Sequence, residues 1–378
     1  MPTFEVLEPA IDPNNRITFL LDWELTMKCN LDCSYCSVGL YGGHDNSTKH
    51  PPLAECLETL DFMFSYTDLY MQYKPAGLKY AILNIYGGES LHHPNIVDIL
   101  KEIQGKYSQY KDRWHLTVTT TTNAIVSAKK MQSIIPYIDE FTVSYHTDST
   151  DKQKEQFKDN LLLIAEHGKR MKCVVLMHNQ PDKFADSENM IAWLLQHNIK
   201  MLPRQLDRLV DTRHSYNEHQ VKWFNDLYKS KTNTSYTEID QSKLGVNLSD
   251  VGRACCGGRQ TCQNQNYKDR SFYVLDNKFP DWYCSVNWFF LYVKQVNGEV
   301  FVNKDCKMNF NNEVGPIGLL KESDSILNDL KSKLKSGNLP IIQCKKRRCL
   351  CGLCAPKAKD LEVYNKIITK YQKDYCEN

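Results

Sequence analysis

The run Met27-Lys28-Cys29-Asn30-Leu31-Asp32-Cys33-Ser34-Tyr35-Cys36 sets three cysteines at a C-x3-C-x2-C spacing. That spacing wraps three thiolates around one corner of a four-iron cluster and leaves one iron without a protein ligand. An open coordination position is what a metal needs to act on a substrate instead of bracing a fold. Structural zinc is the other reading, but it takes four ligands and pairs C-x2-C knuckles. After Cys36 the next short-range donor is His44, eight residues on.

Further along stand other residues with chemical potential. Tyr86-Gly87-Gly88-Glu89 combines two glycines, which let a backbone approach a ligand closely, with a carboxylate able to accept from an ammonium group. On its own such a turn is equally a plain strand-to-helix connection. Thr119-Thr120-Thr121-Thr122-Asn123 ends in an amide, and β propensity explains part of the threonine run. Ser144-Tyr145-His146, Met177-His178-Asn179 and Arg204 add hydroxyl, imidazole, amide and guanidinium groups. A lone histidine is as readily structural as functional, for His146 and more so for His178.

The cysteine count of 15 is odd, and nothing in the opening residues resembles an export signal. In a reducing compartment, clustered cysteines point to metal or catalysis instead of disulfides. Cys56 falls on a helical pattern and Cys173 on an apolar strand, as small core residues do. A second field holds Cys255, Cys256, Cys262, Cys284, Cys306, Cys344, Cys349, Cys351 and Cys354. Structural zinc is an alternative there too.

The elements that must position these groups are legible from periodicity. Strands are expected over Ile17–Leu25, Lys79–Tyr86, Trp114–Thr121, Glu140–Tyr145, Met171–Met177 and Lys200–Pro203. Helical patterns lie between them, over Leu53–Tyr73, Pro94–Tyr107, Ser127–Ile135, Thr150–His167 and Ser187–His197, with a further one over Asn217–Tyr228. Strands alternating with helices build a parallel sheet. Six units are too few for a closed eight-fold barrel, so the expected fold is α/β, a partial (β/α)6 TIM-like barrel. Each polar cluster above follows a strand, at the end where α/β sites form.

This pattern resembles the radical S-adenosylmethionine (SAM) superfamily: Cys29, Cys33 and Cys36 after a first strand, with aromatic Tyr35 directly before the last cysteine. The resemblance implies a catalytic 4Fe–4S cluster on the three cysteines, whose open iron binds SAM. It also implies that Gly87, Gly88 and Glu89 receive the SAM amino group. Tyr35, Thr121, Asn123, Ser144, His146, Asn179 and Arg204 are the further SAM-side residues by type and position, with His146 near either SAM or substrate. A flavodoxin- or ferredoxin-type reductant is the implied electron donor.

The second field is similar to the SPASM and twitch domains, which hold one or two auxiliary 4Fe–4S clusters. That likeness suggests Cys284, Cys306, Cys351 and Cys354 as one ligand set. Cys255, Cys256, Cys262, Cys344 and Cys349 then serve a second cluster, or Cys256 and Cys262 replace Cys284 in the first. The usual SPASM spacing of C-x2-C-x5-C-x3-C is not present, which favours a single twitch-like cluster. Trp282, Trp288, Phe289 and Phe290 sit between candidate ligands as packing or as a substrate wall.

The implied organisation is an N-terminal extension over 1–14, the barrel over 15–230, a polar linker over 231–250, the cysteine-rich iron–sulfur domain over 251–360, and a tail over 361–378. Net charge is +2, which gives no general pull toward nucleic acid or anionic lipid. The basic run Lys345–Arg348 is a solvated turn or a local patch. With no apolar run of membrane length, a cytoplasmic location is expected. The substrate implied is a peptide or protein side chain. A carbohydrate-like or other small molecule is the alternative, and a non-catalytic zinc or iron–sulfur module is the alternative of another class.

Overall fold

From Phe19 to Leu25 every second residue is large and apolar, and in a strand those side chains share one face. The computed structural model describes residues 6–7, 18–36, 45–72, 79–206, 216–227, 281–284, 286–288, 290–303, 307–336, 341–345, 357–362 and 364–365. Phe19, Leu21, Trp23 and Leu25 are fully buried there, along strand β1 (Thr18–Thr26).

Five further strands lie parallel in sequence order: β2 (Tyr80–Gly87), β3 (His115–Thr122), β4 (Glu140–Tyr145), β5 (Arg170–Met177) and β6 (Met201–Gln205). Each is followed by a helix: α1 (Leu53–Gln72), α2 (Ile96–Tyr107), α3 (Ala128–Ile134), α4 (Asp151–Glu166), α5 (Pro181–Gln196) and α6 (Glu218–Leu227). This is the (β/α)6 arrangement expected.

Local signals account for the helix starts. Thr150 and Gln153 form a reciprocal capping box at α4. Ser127 accepts from the Lys130 amide at α3. Helix α5 begins six residues before the expected Ser187, because Pro181 occupies its first turn, where a missing N–H leaves nothing unpaired.

The two faces of the sheet differ. One packs on the helices in a continuous core that includes Leu83, Val118, Phe141, Val175, Leu60 and Leu161. Phe19 stacks on Tyr70 of α1 with centroids 4.7 Å apart. Cys56 and Cys173 are fully buried in this core. The opposite face carries the alternate residues, and toward its middle many are polar: Asp22, Asn84 and Thr119 are register partners joined by Asn84–Asp22 and Thr119–Asn84 hydrogen bonds of 2.8 and 3.2 Å. Thr121, Thr142 and Ser144 continue it, all half-buried. Parallel sheets ordinarily bury both faces in apolar residues. These polar positions depart from that pattern.

Part of the C-terminal region joins this same sheet. Strand β7 (Phe290–Lys294) pairs parallel to β1, from Leu20 with Phe290 to Glu24 with Lys294. It turns through Gly298 into antiparallel β8 (Glu299–Phe301), which pairs with β9 (Gly318–Leu319). The sheet order is thus β9-β8-β7-β1-β2-β3-β4-β5-β6. Helix α7 (Ser323–Lys335) follows and packs Ile326, Leu330 and Leu334 into the main core. Four two-residue strands form a separate small sheet in which Tyr283–Cys284 pairs with both Ile342–Gln343 and Lys357–Ala358, and the latter pairs with Val6–Leu7.

Candidate functional site

Strand β1 ends at Thr26, and the chain then crosses the C-terminal end of β2. The crossing is tight. The Gly88 amide donates to the Thr26 carbonyl at 2.7 Å, and the Glu89 amide to the Lys28 carbonyl at 2.9 Å. A Cβ at Gly87 would lie 2.0 Å from the Thr26 oxygen, and one at Gly88 would lie 2.4 Å from the Met27 oxygen. The glycines were expected to let backbone approach a ligand. What they admit here is the backbone that leads into Cys29.

Glu89 follows directly. Its carboxylate is buried and turned inward, accepting from the Leu91 amide at 2.9 Å, the Thr122 hydroxyl at 2.7 Å and the Asn123 amide at 2.6 Å. These three bonds make it a brace between the ends of β2 and β3. Burial lifts its carboxyl above the usual range, against those three donors.

That brace leads on to the first cysteine. The Asn123 amide group donates to Asn30 Oδ1 at 2.8 Å and lies 3.8 Å from Cys29 Sγ. Asn30 donates in turn to the Ile125 carbonyl at 2.8 Å, and the Leu31 amide donates to Cys29 Sγ at 3.4 Å. Asn160 of α4 fixes the far side of this loop by donating to the carbonyls of Ala124 and Val126, at 2.8 and 2.7 Å.

The second cysteine is held from β4. Cys33 Sγ lies 3.4 Å from His146 Nδ1, and the Tyr35 hydroxyl lies 2.8 Å from the same nitrogen. Two residues on, Asp148 accepts from the Ser34 amide at 2.7 Å and its hydroxyl at 2.8 Å, and pairs with Lys183. The Cys36 amide closes a turn onto the Cys33 carbonyl at 3.0 Å, leaving the Cys36 side chain exposed. Asn30, Ser34, Asp148 and Asn160 were not singled out in the sequence. Only the place of Asn30 and Ser34 inside the cysteine motif could have flagged them.

The remaining expected residues lie on the same edge. Thr121 and Ser144 are half-buried on the polar face. Asn179, just past β5, is half-buried, and its carbonyl accepts from Gln220 of α6 at 2.8 Å. Arg204 is exposed on β6, in register with Leu176. Of the expected residues, Asn123 and His146 reach the cysteine loop, alongside Asp148 and Asn46, whose Oδ1 accepts from the Cys29 amide at 2.9 Å.

The donor set fits a cluster. Burial pushes the thiols of Cys29 and Cys33 up to about 12, and a bound metal cation would offset that by favouring the thiolate. The N–H groups of Leu31 and Asn123 aimed at Cys29 Sγ suit a bound thiolate. Among the described residues no three His, Cys, Asp or Glu side chains converge closely enough for a single metal ion. Burial also depresses His146 to about 4, so its ring is neutral.

No family model matches the chain, and no curated protein does. Among solved structures, it is similar to Streptococcus suis SuiB bound to S-adenosylmethionine, at 13% identity over 84% of this chain and 68% of that one, with a TM-score of 0.44. It is also similar to anSMEcpe with bound AdoMet, at 10% identity over 84% and 82% of the two chains, TM-score 0.49. For anSMEcpe with AdoMet and the Cp18Cys peptide, identity is 10% over 94% and 96%, TM-score 0.48. Both neighbours are bound to S-adenosylmethionine.

In the C-terminal field, Cys284 and Cys344 are buried beside each other's strands: Cys284 pairs in register with Ile342, and the Cys344 amide donates to the Trp282 carbonyl at 2.9 Å. Cys256, Cys262, Cys306, Cys349, Cys351 and Cys354 lie outside the described residues, as do Cys255 and Lys346–Arg348. Among the described residues, no helix is long and apolar enough to cross a membrane.

Proposed function

We propose that this chain is a radical SAM enzyme in which Cys29, Cys33 and Cys36 hold a 4Fe–4S cluster at the C-terminal edge of the sheet. The observation that carries this reading is the placement of the three cysteines on one loop past the C-terminal end of β1, with Cys29 Sγ accepting from the Leu31 amide and Cys33 Sγ 3.4 Å from His146 Nδ1. When bound there and reduced, the cluster supplies the electron that cleaves SAM and starts hydrogen-atom abstraction from the substrate.

The protein's own residues do the rest. Gly87, Gly88 and Glu89 press the cysteine loop onto β2 and tie it to β3. Thr121, Ser144, Asn179 and Arg204 offer hydroxyl, amide and guanidinium groups to the ribose and carboxylate of SAM. The polar face of Asp22, Asn84, Thr119 and Thr142 lines the space where a substrate lies, and the sheet and its loops keep water from it. The cysteine-rich region supplies one or two auxiliary clusters. The substrate is a peptide or protein side chain, a reading supported by the likeness of that region to the SPASM and twitch domains. A flavodoxin- or ferredoxin-type protein delivers the electron.

Anaerobic reconstitution with iron and sulfide tests this directly. Bound iron and sulfide, with release of 5′-deoxyadenosine from SAM under dithionite, is the expected result. Zinc without iron, and no nucleoside product, would identify a non-catalytic module instead.

A further inference from the structure

The loop after β4 grips the cysteine motif at two points, and the contacts differ in kind. Asp148 takes the amide and hydroxyl of Ser34, a backbone anchor held in turn by Lys183. His146 reaches a ligand atom itself. Its Nδ1 lies 3.4 Å from Cys33 Sγ and 2.8 Å from the Tyr35 hydroxyl, and the two rings are parallel within 5° at 6.0 Å.

The chemistry of a bound thiolate decides how these three groups share their hydrogens. A thiolate on iron has no proton and only accepts. A lone pair on Nδ1 facing it would be repelled, so the tautomer with hydrogen on Nδ1 is selected, and that hydrogen points at Cys33 Sγ. With Nδ1 now a donor, the Tyr35 hydroxyl no longer has an acceptor there and turns its own hydrogen to the same sulfur. Two donors then converge on one ligand.

We propose that His146 is a positioning residue for the cluster and not a SAM or substrate ligand: it sets Cys33 in place and, with Tyr35, donates to its sulfur so as to raise the cluster's reduction potential. Donors to cluster sulfurs stabilise the more negative, reduced form and so ease electron entry. This rests on the proposed cluster at Cys29, Cys33 and Cys36. It goes beyond that proposal by assigning a function to a side chain outside the ligand set.

The test is a potentiometric titration, followed by electron paramagnetic resonance, of the reconstituted full chain, reading the reduced-cluster signal that C33A lacks. His146→Phe keeps a ring and removes the donor, and Tyr35→Phe removes the second donor. The midpoint potential is expected to shift to more negative values in each, with iron content at this site unchanged. His146→Asn restores an N–H near Nδ1, and is expected to return the potential toward wild type. An unchanged potential in H146F with full iron overturns the inference and leaves the cluster assignment standing. If H146F fails to load iron, retention of iron and of the wild-type potential by H146N supports the inference, whereas loss of iron in both variants overturns it. A wild-type protein with no C33A-sensitive signal defeats the cluster assignment itself.

Discussion

The Tyr292 hydroxyl donates to Glu24 Oε2 at 2.7 Å, joining positions 268 residues apart. Glu24 lies on β1, five residues before the first cysteine, and Tyr292 on β7. The same seam carries Trp23 Nε1 to Gln295 Oε1 at 3.0 Å and the Gln295 amide to the Glu24 carbonyl at 3.0 Å. Tyr292 is further stacked between Tyr86 and Phe301, with centroids 6.5 and 5.6 Å away. The strand that leads into the cysteine loop is therefore held on one side by β2 and on the other by a segment from the far end of the chain.

Tyr292→Phe keeps the stacking and removes the donor from a buried carboxylate. The loss is expected to be about 1–3 kcal/mol of stability, the penalty for a buried acceptor deprived of a partner. Denaturant unfolding checks it; an unchanged midpoint would show that the seam is not formed in solution.

Cys29→Ala and Cys33→Ala each remove one of three thiolates. Iron at this site and 5′-deoxyadenosine release are both expected to fall to background, by iron analysis and chromatography of the reaction. A C33A protein that still cleaved SAM would show the ligand set to be wrong.

Gly88→Ala puts a methyl group 2.4 Å from the Met27 oxygen and 2.6 Å from the Lys28 oxygen, both backbone atoms with little room to yield. A loss of about 1–3 kcal/mol is expected from overpacking, together with poorer iron loading because residues 26–28 must shift. The same change at Gly105, where no atom lies within 4 Å, is the control.

Asn160→Ala leaves the carbonyls of Ala124 and Val126 without their shared donor. Two hydrogen bonds at about 0.5–1.5 kcal/mol each suggest a loss of about 1–3 kcal/mol. Reduced iron retention is expected as well, because the same loop carries Asn123. Thermal unfolding and iron analysis after gel filtration read both effects.

His50 accepts from or donates to Thr26 Oγ1 at 3.1 Å, and burial, with His93, His92, Lys28 and Lys130 nearby, depresses it from 6.5 to about 4. Between those values the folded chain binds fewer protons than the unfolded one, so this contribution to stability is present above 6.5 and is lost as pH falls toward 4. Melting temperatures across that window should drop in the wild type and drop less in His50→Gln.

Much of this was legible in the residues. The six strands and their helices follow from alternation and helical spacing, because one face of each is apolar and must be covered by its neighbour. The cysteine triplet stands out by spacing alone, since loop length is a local property. Strand β7 was not legible as part of the main sheet. Phe290–Val293 is buried on both faces, so its pattern has no period to say what it pairs with.

The side chains that surround the sulfurs were legible only as candidates. Sequence by itself determined the kind of fold, the edge at which the polar groups gather, and the three clustered cysteines. Tertiary structure alone decided that Glu89 faces inward, that Asn123 and His146 touch cysteines, and that Tyr292 meets Glu24. The reason is physical. Strand and turn formation depend on neighbours a few residues away, whereas the direction of a polar side chain at a strand end is set by whichever donor or acceptor the packing of distant segments brings within 3 Å or so.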